Sequence, residues 1–468
     1  MTAAVADPGS FRDPAGQVYR LGSRVLRKVG AKAATHYEAA RDRGILRKYS
    51  DRGLLVDSKE VDAGLIGVSD NSRHYVLEHP VIPFISYPYE WSFALLKEAA
   101  LFHLRLQHDL LLDGFTLSDA SAYNVQFLGN RPIYIDVTSI RRYEEGSYWL
   151  AHNQFCEQFL NPLLLRAYCG VPHNDWFRGR LEGISSIELS RLLPARKKLS
   201  FRVLSHVVGP SRLQARRERK HASVAVRKPL PQAAYAGLIN HLLRWIESLE
   251  PEVAGSYWQN YEAFHSYSDR EEASKRDFVD RFVSETLPDT VWDLGCNTGA
   301  YSKIALGAGA KKVVGFDSDH GALDRAYRRS CSERLDFLPL YFDGANPSPD
   351  QGWSQTERMG LSRRRNADAL LALAFIHHIS IPRNVPLDSA VQWLVGLAPR
   401  GVIEFVQKDD PTVREMLALR EDVFDYYDEP SFLKALNARA RIVSTRKNSE
   451  NGRLLVAYQT DSTLGCHR

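Results

Sequence analysis

The sequence predicts an α/β protein in two parts, an α+β N-terminal domain followed by a C-terminal doubly wound sheet of Rossmann-like type. Three observations predict it. Beyond residue 255, short all-apolar runs alternate with helical stretches: "VWDLG", "KVVGFD", "FLPLYFD", "ALLALAF", "GVIEFV", "ARIVSTR" and "RLLVAYQ". A parallel strand covered by helices on both faces reads as a continuous apolar run, so this alternation indicates a parallel sheet. Before residue 190 the strand-like pieces are instead set off by turn residues and mixed with long helical patterns, and 468 residues exceed what one core organises. The expected domains are residues 1–190, a basic linker with a helix over 191–254, and 255–468.

In chain order, "GQVYRLGSRVLRKV" predicts a hairpin turned by Gly22-Ser23, and "AKAATHYEAARDRGILRKY" a helix. "HYVLEHPVIPFISYP" reads as a strand and a Pro-punctuated crossover, and residues 90–112 show helical periodicity. A loop and a hairpin around Gly129-Asn130 follow, then a largely helical stretch over 147–190. Between Arg191 and Leu230 there are 12 Lys or Arg against one acid, Glu218, with prolines at 194, 210, 229 and 231. That composition suits a connector. A helix over 233–250 leads to the aromatic-rich segment with Trp258, Tyr261 and Tyr267, expected to pack rather than to cage a substrate.

Lys and Arg exceed Asp and Glu by 61 to 56, so local charge matters more than the net +5. The five cysteines, Cys156, Cys169, Cys296, Cys331 and Cys466, form no CxxC pair, and their spacing indicates neither a disulfide framework nor a metal site. The opening "MTAAVADPGSFRDP" lacks an apolar signal core, and no run approaches the roughly 18 apolar residues that span a bilayer. A soluble, cytoplasmic protein without membrane contact is expected.

The chemistry concentrates in "VWDLGCNTGAYSKIALGAGAKKVVGFDSD". Asp293 ends a strand, Gly295 permits a tight turn, Gly299 starts a helix, and Asn297 is one of the few non-glycine residues that tolerate positive φ. The GxxxG spacing departs from the G-x-G-x-x-G of dinucleotide sites. Asp317 follows Asp293 by 24 residues at the end of the next strand, and its two acceptor oxygens suit a ribose diol. Asp343 ends a third strand and suits an adenine amino group.

Three acids at three successive strand ends, with the glycine loop after the first, resemble the class I S-adenosylmethionine-dependent methyltransferases over residues 255–468. The resemblance implies S-adenosylmethionine as cofactor. It places Asp293, Gly295, Cys296, Asn297, Thr298 and Gly299 on the methionine portion, Asp317 and Ser318 on the ribose, Asp343 and Gly344 on the adenine, and Lys275 on the cofactor carboxylate. Residues after the fourth strand face the sulfonium in that family, here "AFIHHISIP", which makes His377 and His378 the expected proton acceptors. The Asn or Asp with two prolines and an aromatic found there in amine-methylating branches is absent. Glu404 and Asp409-Asp410 are expected to shape an acceptor pocket.

A second constellation lies upstream. "SDASAYNVQFLGNRPIYID" spaces Asp119, Asn124 and Asp136 as D-x4-N followed by a strand pair and a second Asp. This resembles the catalytic loop and metal Asp of the protein-kinase-like fold, with Arg27 or Lys28 on the hairpin and Glu38 on the helix as the upstream pair. There is no glycine-rich phosphate loop, and Val137-Thr138 stand where Phe-Gly would be. A degenerate kinase-like domain that binds substrate or partner is expected. As a whole the chain resembles bacterial methyltransferases with a long N-terminal extension, some of them nodulation-related.

The leading expectation is methyl transfer to an O or N nucleophile of a small-molecule or glycan-like acceptor. The alternatives are an RNA-modifying methyltransferase using the basic 191–230 stretch, a non-catalytic scaffold, and a bifunctional kinase-methyltransferase. The oligomeric state is left open.

Overall fold

The computed structural model describes residues 3–13, 15–67, 74–211, 229–252, 269–418, 420–448 and 452–460. The chain divides into two units, Met1–Ala254 with Asp350–Met359, and Gly255–Pro349 with Gly360–Arg468. Ten residues between the third and fourth strands of the C-terminal sheet thus belong to the first unit, an arrangement that simple division of the sequence at one boundary misses.

In the first unit, β1 (Val5–Ala6), β2 (Gly16–Leu21), β3 (Arg24–Val29), β4 (Lys59–Val61) and β5 (Tyr75–His79) form an antiparallel sheet in the order β1-β2-β3-β5-β4. The predicted hairpin is β2 and β3, with Leu21 opposite Arg24 across the turn. The single helix expected over 31–49 is two helices, Ala31–Asp42 and Ile45–Asp51. Gly44 between them takes φ +70°, a left-handed conformation that ends an α-helix.

The helix Phe93–Leu112 starts at Ser92, whose hydroxyl accepts from the Leu95 amide at 3.4 Å. Leucine and alanine cover most of its circumference, so it is buried nearly all round, as a central core helix must be. The helix Gln232–Glu247 packs against it, and Gln107 donates to the Tyr235 hydroxyl between them at 3.1 Å. Beyond the core helix, β6 (Phe115–Leu117), β7 (Val125–Leu128), β8 (Arg131–Tyr134) and β9 (Ile140–Arg142) form two antiparallel pairs, β6 with β9 and β7 with β8. The second pair is the hairpin predicted around Gly129-Asn130.

The basic stretch expected as a connector is, in its described part, folded. Helices Ser186–Leu192, Ala195–Lys198 and Phe201–Val203 lead into a π-helical turn, Leu204–Val208, that buries Val207 and Val208 beside Val203. The charges sit outward while the valines carry the packing. The "RRERK" portion, with Trp258, Tyr261, Tyr267 and Cys466, lies outside the described residues.

The second unit holds β10 (Thr290–Leu294), β11 (Lys312–Asp317), β12 (Phe337–Tyr341), β13 (Ala369–Ala372), β14 (Arg400–Phe405), β15 (Arg441–Lys447) and β16 (Leu454–Gln459). Their order is β12-β11-β10-β13-β14-β16-β15. The first five are parallel, as predicted, but β16 runs antiparallel to both β14 and β15. The expected all-parallel sheet is therefore mixed. β15 is the edge, largely exposed and bulged between Ile442 and Ser444, a usual protection for an unpaired strand. Phe278, Val279, Phe282 and Val283 on the helix Asp269–Thr286 join Val291, Val313, Leu371 and Val402 in the core. Strand order reverses beside β10, and the crevice beyond the carboxyl ends at such a point is where open α/β sheets hold ligands.

Candidate cofactor site

A cavity of about 900 Å³ opens there, lined by residues of the second unit. The turn after β10 builds its floor. Gly295 takes φ +76°, Asn297 φ +49° and Gly299 φ +80°, so Asn297 occupies the positive-φ position that its chemistry allows. Gly299 is constrained twice, because a Cβ there would meet the Phe337 ring at 2.5 Å. It also opens the helix Ala300–Gly307.

The three acids behave differently. Asp293 is buried, accepts from Ser302 Oγ at 2.7 Å, and its carboxyl is pushed up to about 6, chiefly by burial, with Asp317 adding to it. Asp317 accepts from the Asn297 amide on one oxygen and the Asp319 amide on the other, both at 2.8 Å. Burial raises its pKa too, against those two bonds. Each oxygen has further acceptor capacity, and the residue lines the cavity. Asp343 accepts from the Ala345 amide at 3.0 Å and from Arg383 at 3.3 Å, near the mouth. Gly295, Cys296, Asn297, Thr298, Ser318 and Gly344 complete the polar lining, and Phe342, Leu373, Phe375 and Ile379 supply an apolar wall. Arg383 and this wall are the parts that motif reasoning did not find.

Lys275 lines the cavity, but its Nζ donates to Glu404 at 2.6 Å with both side chains almost wholly buried. Its charge is balanced inside the protein. Glu404 therefore serves this ion pair and does not border the cavity, contrary to the acceptor-pocket expectation. Asp410 likewise caps the helix Pro411–Leu417 and accepts from buried Arg453 at 2.6 and 3.1 Å, while Asp409 meets Arg414 at the surface.

The two histidines separate. His378 reaches the cavity; His377 is 1% exposed and packs behind it, rings 4.1 Å apart. Burial lowers both, His378 to about 4 and His377 well below its ordinary value. Both are neutral at physiological pH, so His378 offers a weak proton acceptor and His377 none that a ligand can touch.

In the first unit, Asp119, Asn124 and Asp136 do come together. Asn124 Nδ2 donates to Asp119 at 2.9 Å and to Asp136 at 3.4 Å. Of the two basic candidates on β3, Arg27 is the one that arrives, donating to Asp136 at 2.7 Å and to Thr138 Oγ1 at 3.1 Å. Thr138 adds its amide at 3.1 Å and its hydroxyl at 2.6 Å to the same Asp136 oxygen. Glu38 accepts from the Tyr75 hydroxyl at 2.6 Å.

No family model matches the chain. The nodulation protein NoeA of Rhizobium meliloti (strain 1021) is 46% identical over 455 residues, covering 96% of this chain and 95% of that protein. Among solved structures, the PH0226 protein from Pyrococcus horikoshii OT3 is 16% identical, covering 44% of this chain and 100% of that one at a TM-score of 0.32. N-methyltransferase NodS from Bradyrhizobium japonicum WM9 is 14% identical, with 41% and 98% covered and a TM-score of 0.31. Magnesium protoporphyrin IX methyltransferase (ChlM) from Synechocystis PCC 6803 is 19% identical, with 43% and 93% covered and a TM-score of 0.30.

Proposed function

The chain belongs to the family of the nodulation protein NoeA, and we propose that its second unit transfers a methyl group from S-adenosylmethionine to an oxygen or nitrogen nucleophile of a small-molecule or glycan-like acceptor. One observation carries this reading: Asp293, Asp317 and Asp343 lie at or just beyond the carboxyl ends of three neighbouring strands and line one cavity floored by a glycine turn. The residues fit the cofactor. The buried side-chain oxygen of Asn297 has no hydrogen-bond partner among the described residues and can accept from a polar group held in the turn, and Gly344 packs so close to Phe375 that a Cβ would meet its ring at 2.6 Å.

When bound, the cofactor supplies an electrophilic methyl on a sulfonium. Asp317 holds the ribose hydroxyls, the 295–299 turn holds the methionine end, and Asp343 with Gly344 meets the adenine edge. His378 orients the acceptor's nucleophile by a hydrogen bond, and alignment provides the larger part of the rate. Lys275, which lines the same cavity, would meet the cofactor carboxylate alongside its pair with Glu404.

For the first unit we infer a binding role without phosphoryl transfer. The Arg27 guanidinium lies against Asp136 where a metal ion would be needed, so the residues do not fit Mg-ATP. Titration calorimetry with S-adenosylmethionine tests the main reading, with micromolar binding expected and no heat overturning it. Isotopically labelled methyl donor, incubated with enzyme and a host metabolite extract, then identifies the acceptor by mass.

A further inference from the structure

Away from the cofactor site, the first unit gathers three metal-ligating side chains, two from one helical turn and a third from fifty residues further along the chain. His152 and Cys156 are four residues apart on one helical face, where the helix His152–Phe155 passes into a π-helical turn, Cys156–Leu160. His206 comes from the other π-helical turn, Leu204–Val208. π-Turns are rare and concentrate at functional sites. Here two of them face each other.

His152 Nε2 lies 3.1 Å from His206 Nδ1 and 3.7 Å from Cys156 Sγ, and the three ligand atoms are all within 4.8 Å of one another. Tetrahedral zinc, with bonds of about 2.0–2.1 Å to nitrogen and about 2.3 Å to sulfur, sets N···N edges near 3.3 Å and N···S edges near 3.6 Å. The observed spacings are close to those edges. The surroundings are largely apolar: Cys156 and His206 are buried and His152 half-buried, Trp149 packs edge-on against His152, and Trp245 lies against His206. His241, on the helix Gln232–Glu247, stacks on His206, and its buried Nε2 has no hydrogen-bond partner among the described residues. A set of imidazole and thiolate donors in an aromatic shell selects zinc over oxygen-seeking cations.

We propose that His152, Cys156 and His206 bind one zinc ion, with water at the fourth position, and that this ion ties the helical segment around residue 152 to the one around residue 206. The site is independent of the methyltransferase reading, and its test does not use methyl transfer. Elemental analysis of the purified full chain should find one zinc per chain. Competition with a chromophoric chelator should show the Cys156→Ser and His206→Gln proteins weaker by more than ~100-fold, since even loss of a ligand's own supporting partner costs 10–100-fold. Removing the metal should lower the melting temperature by about 5 °C or more. Because a buried variant can fail to fold, cobalt(II) titration of the wild type is the deciding measurement. A thiolate-to-cobalt charge-transfer band in the near ultraviolet is expected. Wild-type protein with neither bound zinc nor that band overturns the proposal, as does a metal content that Cys156→Ser leaves unchanged in a folded protein.

Discussion

Two groups of carboxylates, one in each unit, start from similar sequence patterns and end in opposite states. Asp317 receives one backbone amide on each oxygen and turns its remaining acceptor capacity toward a cavity. Asp136 receives Arg27, the Thr138 amide and the Thr138 hydroxyl on one oxygen and Asn124 at 3.4 Å on the other, so one oxygen is crowded with donors and its charge is met by an internal cation. A carboxylate built for a ligand keeps acceptors unspent. One that has acquired an internal cation has its charge answered within the protein. The position of an acid at a strand end thus says less about its use than the count of donors already on it.

The contrast is broken or sharpened by four measurements. Asp317→Ala should cost the most, because charge-assisted bonds are worth about 1.5–3 kcal/mol each and a diol makes two. Cofactor affinity should fall at least a hundredfold by calorimetry, while Asp136→Ala leaves it unchanged; equal losses in both variants would erase the distinction. Next, Arg27→Ala leaves Asp136 mostly buried without its cation, with side chains only 11% and 12% exposed in the native pair. Urea denaturation should register a loss of about 3–5 kcal/mol, largely recovered by adding Asp136→Asn. Magnesium should raise the melting temperature of Arg27→Ala and not of the wild type. Magnesium-dependent ATP hydrolysis by the wild type would instead reveal an open site.

The third measurement concerns pH. Asp293 titrates at about 6 in the folded chain against an ordinary 3.8. Between these values the folded state holds a proton that the unfolded state has released, so its contribution is full at low pH and lost as pH rises through about 6. The loss is about 2–3 kcal/mol. Relative to Asp293→Asn, which does not titrate, the wild type should weaken by that amount between pH 4 and 7; parallel stability curves would show an ordinary carboxyl. The smallest effect belongs to Asp343, half-buried and shared with Arg383. Asp343→Ala should lower cofactor affinity about three- to tenfold, the worth of one ordinary hydrogen bond.

Much of the second unit was legible because buried strands leave an uninterrupted apolar signature and the turn after β10 demands particular residues. Asn297 could be placed at positive φ from its chemistry alone. Strand direction was less visible: Leu454–Gln459 is as apolar as its parallel neighbours and gives no sign that it runs the other way. Local reading also missed what depends on distant partners. Arg27 and Lys28 are indistinguishable until Asp136 is positioned. Glu404 resembles a pocket acid until buried Lys275 is found against it. His206 is separated by fifty residues from the His152-Cys156 turn it meets, which no spacing rule for cysteines covers.

The ten residues Asp350–Met359 have a consequence for biosynthesis. Glu357 accepts from Arg12 at 2.9 Å, Arg358 lies 4.3 Å over the Tyr123 ring, Gln351 donates to the Arg178 carbonyl, and the Met359 amide donates to the Tyr87 hydroxyl. These partners are all made early on the ribosome, yet the segment that completes them emerges 105 residues after Ala254. At about 5–20 residues per second, the nascent N-terminal unit waits roughly 5–20 s with Arg12 and Tyr123 lacking these contacts. A fragment ending at residue 254 carries that unfinished surface permanently, and chaperone dependence should be greater for it than for the whole chain.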